Sequence, residues 1–397
     1  MQRPTTPVHS NTAPPDHSSP VTGIPRYFAE EERDQVQEFA YDEEFQLADF
    51  ESWEALIDFL DHSSNEPIDL SQIPNITNWS AETYLEAANE IAKSIQASHF
   101  SGSDTLVFKN TEDTSHPEHV TDTDCRPDFI AAFEADFKGK QTPWPYIRLT
   151  GEHASKGKTR KDQEKQGMSY LHYLLLARPD LYVAQGMFTS KKDIVFLVGI
   201  GGQGVRSLTV KWSSEELSKL MYAFIFCLYR PDKFADPSYK IGHDKDNRVT
   251  YTIKLQIEAE ADGVPTDQQV VLCRDFLPIY ASSPFGTRTH VFSNPDSNVK
   301  INGKPLTVLK DQFCRVGTRF HEHGILEHVH TQKEVPGVVE AVYNEVISPP
   351  VSKPVEREKR RLGMGQCGEP FMTIPNIKTM LEVMFDTLEG PSSPSTT

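Results

Sequence analysis

Apolar residues recur along this chain with two different periods, which predict helices in one part and strands in others. Before residue 100 they recur every three or four positions among acidic residues, as in "ADFESWEALIDFLD" and "SAETYLEAANEIAKSIQ", and this spacing predicts amphipathic helices. In "VTYTIKLQIEA", from Val249 to Ala259, apolar and polar residues alternate, which predicts a half-buried strand. Between these regions, strand-like runs surround two apolar helical stretches, 161–180 and 213–231. The pattern predicts an α+β protein.

Shifts in composition divide the chain into five predicted segments. The first residues are rich in Pro, Ser and Thr, a composition that buries too little apolar surface to offset the entropy of ordering. The predicted segments are a disordered tail (1–28), an acidic helical segment (29–110), an α/β domain (111–235), a second domain (236–390) and a short tail (391–397). The acidic segment has two interpretations: a docking segment for a basic partner, or a helical cap on the α/β domain, which we favour.

Charge and cysteine content limit the classes of partner and compartment. The formal net charge is −17, and a net acidic surface repels phosphate, so nucleic acid is not an expected partner despite one basic run at 156–166. The five cysteines form no C-x-x-C pair and the N-terminus has no apolar signal region, which indicates a cytoplasmic or nuclear protein rather than a secreted one. No apolar run reaches the roughly 20 residues of a membrane span.

The best phosphate-loop pattern in the chain is "FLVGIGGQGVRS", with glycines at 199, 201 and 204. A dinucleotide loop of this pattern opens a helix, whose N-terminus binds the phosphate. Here a β-branched, strand-like run follows. In a protein kinase the strand lysine follows the last glycine by roughly 15–17 residues, whereas Lys211 comes too soon. We therefore interpret the glycines as a hairpin turn, with phosphate binding as the alternative.

Kinase chemistry is predicted further along, between residues 279 and 347. The order there is strand, turn with Gly286, strand, turn, strand with Lys310, helix with Glu322, and strand. In a kinase N-lobe the strand lysine contacts ATP phosphates and a glutamate of the following helix orients it. The spacing from Gly286 to Lys310 requires a lengthened turn. We predict that Lys310 and Glu322 form an ion pair.

Several motifs around Lys310 resemble the fungal-type protein kinase family. They are "SSPFGTRTHVF", "TVLKDQF", "RFHEHGILEHV", "EREKRRLGMGQCGEPF" and "NIKTMLEVMFDTLEG". The resemblance implies a kinase-like N-lobe, made of an antiparallel sheet plus one helix, that binds ATP with Mg²⁺ through Gly286, Val291, Lys310 and Glu322. The family's glycine loop resembles F-G-R-G-T-R-V, of which this chain keeps one glycine. H-R-D and D-F-G motifs do not occur, so no C-lobe and no catalytic residue is predicted, and phosphoryl transfer by this chain alone is not expected.

The region before the kinase-like motifs resembles a degenerate PD-(D/E)xK nuclease-like domain. Its candidate metal ligands are Asp128 and Glu152, but position 154 is alanine where that signature has lysine. Three functions therefore stand as hypotheses: a protein kinase relative of the Ser/Thr type that is inactive alone, a non-catalytic protein-interaction module and, third, a metal-dependent nuclease. The protein partner or protein substrate is not identified by the sequence.

Overall fold

The computed structural model describes residues 48–61, 80–112, 114–119, 125–153, 159–230, 234–246, 248–261, 264–317, 321–331, 338–347 and 357–366. The predicted tails 1–28 and 391–397, the end of the motif "EREKRRLGMGQCGEPF" and the motif "NIKTMLEVMFDTLEG" lie outside these residues. The helices are α1 (Trp53–Asp61), α2 (Tyr84–His99), α3 (Arg160–Ala177), α4 (Leu217–Tyr229) and α5 (Glu322–His330). The predicted α+β class is confirmed.

Sixteen strands accompany these helices in the described part of the chain. They are β1 (Ala48–Asp49), β2 (Leu106–Asn110), β3 (Phe129–Phe133), β4 (Leu149–His153), β5 (Val183–Thr189), β6 (Asp193–Ile200), β7 (Gly204–Lys211), β8 (Tyr239–His243), β9 (Val249–Ala261), β10 (Val264–Ala281), β11 (Thr289–Ser293), β12 (Lys300–Ile301), β13 (Lys304–Pro305), β14 (Val308–Arg315), β15 (Ala341–Ile347) and β16 (Arg357–Met364). They form two seven-stranded sheets and one small ribbon, β12–β13.

The first sheet is mixed and has helices on both faces. Its strand order is β1-β7-β6-β5-β4-β3-β2, with β1–β7 and β4–β5 parallel. Helices α1, α2 and α4 pack on one face and α3 on the other. Strand β5 is buried along its whole length, because it lies at the centre of the sheet and helices cover both faces. Such a strand needs a continuous run of residues that tolerate burial. We call this sheet with its helices the α/β unit.

The α/β unit begins earlier in the chain than residue 111, the predicted start of the α/β domain. Strand β2 ends at Asn110 and pairs with β3, while β1 pairs with β7. Helices α1 and α2 contribute Leu56 and Ile91, which are fully buried, to the same core as α4. The acidic helical segment therefore contributes strands β1 and β2 to the sheet, and its helices α1 and α2 pack in one core with α4. This packing is what the cap interpretation requires.

The second sheet is antiparallel throughout and curls around its own core. Its order is β15-β16-β14-β11-β10-β9-β8. The alternating residues predicted in β9 do point inward: Tyr251, Ile253 and Leu255 are buried in its core. The Tyr343 hydroxyl on edge strand β15 donates to the Gln256 carbonyl on β9, at 3.2 Å. This contact joins one edge strand to the strand next to the opposite edge.

The second sheet is joined to the α/β unit at the C-terminal end of α3. The last carbonyls of a helix have no partner inside the helix, and here the second sheet supplies donors to three of them. The Arg288 guanidinium donates to Leu175 O at 3.0 Å. The His290 Nε2 lies 3.1 Å from Leu176 O and the Tyr251 hydroxyl 3.0 Å from Ala177 O. Because a carbonyl only accepts, His290 carries its proton on Nε2.

A buried ion cluster completes this junction. Asp311 accepts two hydrogen bonds from Arg361, each of 2.8 Å, and lies 2.9 Å from Lys359 Nζ. Asp236 contacts the same two cations at 2.9 and 3.2 Å. Burial alone would raise the pKa of Asp311, but Arg361 and Lys359 hold it well below its usual range. Two carboxylates and two cations thus neutralise one another inside the protein.

Removing one carboxylate from this cluster should destabilise the whole fold. In Asp311→Asn the buried Arg361 and Lys359 would share a single carboxylate, and breaking a buried pair costs about 3–5 kcal/mol. Urea unfolding should show that loss. The matched control is Asp296→Asn, an exposed turn residue, which should change the free energy of unfolding by less than about 0.5 kcal/mol. Equal effects of the two substitutions would contradict this account of the cluster.

Three buried histidines should make the protein sensitive to mild acid. Burial lowers the pKa of His116 to about 4 and the pKa values of His172 and His290 to about 3. The unfolded chain protonates these residues first, near pH 6.5, so their contribution to stability is complete above that pH and is lost as the pH falls toward 4. The buried Asp311 and Asp236, whose pKa values lie below their ordinary value, act only below about pH 4.

Urea unfolding at several pH values between 6 and 4 measures this effect. Each histidine should contribute a slope of about 1.4 kcal/mol per pH unit. His290→Gln keeps an N–H donor for Leu176 O but does not titrate, so its slope should be shallower by that amount. An unchanged slope would show that His290 does not titrate as described.

Candidate functional site

Lys310 lies at the centre of a row of side chains that crosses five strands of the second sheet. In the antiparallel ladders the paired residues are, in order, Tyr280, Val291, Lys310, Leu362 and Asn344. Residues directly opposite in such ladders lie on the same face of the sheet. We call this face the lysine face. Its alternate residues, including Asp311 and Phe313, point the other way into the junction with the α/β unit.

Helix α5 brings Glu322 to Lys310. The Lys310 ammonium donates to Glu322 Oε2, so the predicted ion pair is present. Glu322 is the first residue of α5, after the N-cap His321, and an acidic side chain in the first turn is favourable beside the helix dipole. The lysine side chain is 21% exposed and the glutamate 40%. A pair this exposed adds little stability, about 0–1 kcal/mol, so its main effect is to orient the lysine.

A second ion pair lies beside the first, and the sequence reasoning did not identify it. Arg360 Nε on β16 donates to Glu358 Oε1 at 2.6 Å. Strand pairing places Arg360 next to Gln312 and Glu358 next to Cys314, all on the lysine face. Burial raises the pKa of the Cys314 thiol, which keeps it in the protonated form at neutral pH. The sequence "REKRRLGM" could have indicated this pair, because side chains alternate along a strand and Glu358 and Arg360 are two residues apart.

The two glycine turns lie together rather than at separate sites. Residues 201–203 form the tight turn between β6 and β7, so the predicted hairpin is confirmed. Gly286 lies in the turn between β10 and β11, and Val291 is the neighbour of Lys310 on β11. The Gly202 amide donates to the Pro284 carbonyl at 2.7 Å. A role of Gly286 and Val291 in binding a cofactor stays a prediction.

The two carboxylates proposed as metal ligands lie close together, where β3 begins and β4 ends. Asp128 precedes Phe129, which pairs with Gly151, the neighbour of Glu152. The Asp128 carboxylate accepts the His153 backbone amide at 2.8 Å, and Glu152 is 2% exposed. Within the described residues, no group of three or more His, Cys, Asp or Glu side chains is placed to hold a metal ion. Position 154 lies outside them.

A surface cleft of about 340 Å³ lies away from Lys310, between α1 and the segment that joins β7 to α4. Trp53, Leu208 and Leu220 supply apolar walls, and Lys211 and Glu216 lie at its polar side. None of the residues on the lysine face lines this cleft. It therefore does not belong to the site around Lys310.

Comparison with known proteins adds no assignment. No family model matches this chain, and neither a curated protein nor a solved structure matches it. Among the described helices, none is long and apolar enough to cross a membrane. The site around Lys310 must therefore be interpreted from its own geometry.

Proposed function

We propose that this chain is a kinase-like protein that binds ATP with Mg²⁺ on its lysine face. Lys310 would contact the phosphates and Glu322 would orient the lysine. The ion pair between them carries the proposal, because it joins a strand lysine to the helix that follows, as in protein kinases. A protein substrate of the Ser/Thr type follows from the family resemblance alone.

The donor set around Lys310 suits an anionic ligand. A lysine ammonium has three N–H donors, and Glu322 accepts from it through one oxygen, Oε2. The remaining donors are available to phosphate oxygens when a nucleotide is bound. Val291 flanks the lysine in the sheet and is partly exposed, so it would provide apolar contact for the rest of a nucleotide.

Thermal unfolding with and without Mg-ATP tests this function. A ligand at about 100 times its Kd stabilises a protein by about 2.7 kcal/mol, so the wild-type Tm should rise by a few degrees. Lys310→Ala should abolish the rise with little effect on the Tm of the free protein, since the ion pair is partly exposed.

The chain offers a matched control for Lys310. Lys304 also pairs with a glutamate, Glu340, and both of these side chains are exposed. Lys304→Ala should leave the response to Mg-ATP unchanged. The proposal fails if the wild-type Tm does not rise at millimolar Mg-ATP, or if both lysine variants lose the response equally.

One observation favours a second candidate, a protein-interaction module. Ile325 and Val329 lie one turn apart on α5 and are 50% and 37% exposed. Val346 on β15 points to the same face of the sheet and is 47% exposed. Grouped exposed apolar side chains are typical of contact surfaces.

Light scattering over a range of concentrations tests the second candidate. Without a partner, the wild-type protein should self-associate through this apolar surface, and Ile325→Ser should reduce the apparent mass. Val270→Ser is the control, since Val270 is equally exposed but lies on the long β9–β10 ribbon. A monodisperse monomer of the wild-type protein would count against this candidate.

A further inference from the structure

The turn that carries Gly286 is held by the α/β unit. We call residues 282–288 the docked turn. The carbonyl of Pro284 accepts the Gly202 amide at 2.7 Å. The ring of Phe285 packs against the core around α3, with its centroid 6.0 Å from that of His172. A turn expected to cover phosphates therefore has its backbone and one aromatic side chain fixed to the α/β unit.

Arg288 also joins the docked turn to the α/β unit. Its side chain is fully buried, and its guanidinium donates to three backbone carbonyls, those of Leu175, Arg178 and Leu181. The dipole of α3 also favours a positively charged guanidinium near the C-terminus of the helix. Its φ angle of 33° lies in the left-handed region, which is unfavourable for a residue with a side chain. The surrounding contacts must offset this local cost.

The approach of two arginine side chains explains two glycines of "GIGGQG". A Cβ atom at position 201 would collide with the Arg288 guanidinium, and one at position 202 would lie 2.8 Å from the side chain of Arg357. Gly202 also has a φ of 76°, which favours glycine. Glycine at 201 is thus required by the approach of an arginine, without any phosphate ligand.

The docked turn is connected to the strand of Lys310. The Phe313 amide, three residues after Lys310 on β14, donates to the Thr287 carbonyl at 2.9 Å. The Phe313 ring lies 5.2 Å from the Arg288 guanidinium and 5.9 Å from the ring of Tyr182 in the α/β unit. Because side chains alternate along a strand, Phe313 and Arg288 lie behind the sheet, opposite the lysine face.

We propose that Arg288 is a positioning residue for the nucleotide site. From behind the sheet its guanidinium fastens the docked turn to backbone carbonyls at and just after the end of α3, beside the hairpin at 201–203, and this fixes the position of the turn relative to Lys310. The nucleotide part of this inference rests on the proposed function, whereas the fastening of the turn does not. The α/β unit thereby serves as the support of the nucleotide site.

Hydrogen exchange at two adjacent amides tests the fastening. The Gly201 amide donates to Tyr182 O inside the α/β unit, and the Gly202 amide donates to Pro284 O on the docked turn. In Arg288→Ala the Gly202 amide should exchange at least about tenfold faster, as expected for a local loss of about 1.4 kcal/mol, while Gly201 exchanges as before. Gly201→Ala, which fills the space of the guanidinium, should speed exchange at Gly202 in the same way.

A destabilised control separates local release from general loss of stability. Val198→Ala removes buried contacts on β6 without touching the docked turn, and it should leave the ratio of the two exchange rates unchanged. The fastening is refuted if Arg288→Ala also leaves this ratio unchanged and Gly201→Ala leaves the exchange rate of the Gly202 amide unchanged.

Titration with Mg-ATP tests the positioning role. Arg288→Ala and Gly201→Ala should weaken binding at least about tenfold relative to the wild type, and Val198→Ala should not. If the wild type binds Mg-ATP and the released turn binds it equally well, the positioning role is refuted while the proposed function stands. If the wild type does not bind, the proposed function and the positioning role both fail, and the exchange ratio still decides the fastening.

Discussion

The C-terminal end of helix α3 is the constraint on which the rest of the structure depends. Its carbonyls need donors in a buried place where water does not supply them, and Arg288, His290 and Tyr251 of the second sheet provide these donors. Three backbone carbonyls of the α/β unit therefore find their hydrogen-bond donors in the second sheet. The neutral cluster of Asp236, Asp311, Lys359 and Arg361 adds further buried contacts at the same junction.

This junction determines which face of the second sheet is turned away from the α/β unit and can carry the proposed site. Strands β14 and β16 turn Asp311 and Arg361 toward the α/β unit, so alternation turns Lys310 and Arg360 to the opposite face. On that face the Glu322 carboxylate orients the Lys310 side chain. The buried ion cluster and the proposed site thus lie on opposite sides of one sheet, and the strands that carry the proposed site are held by contacts behind it.

Local patterns predicted the elements better than they predicted the contacts between them. Alternation identified β9, and the order of elements identified the Lys310–Glu322 pair, because twelve residues separate the partners and both lie on predicted elements. The role of Arg288 was not predictable, because its partners are backbone carbonyls more than 100 residues earlier. Short β2 was also missed, since five residues of "LVFKN" carry too little periodicity to be distinguished from the helical segment before it.

The ion pairs of this protein belong to two environments that ionic strength can separate. Charges exposed to solvent are screened by added salt, with a Debye length of about 8 Å at physiological ionic strength, whereas buried charges are screened much less. The Lys310–Glu322 pair belongs to the first kind and the Asp311–Arg361 pair to the second. Changes in salt concentration would therefore act on the electrostatics of the proposed ligand surface while leaving the union of the two sheets almost unaffected.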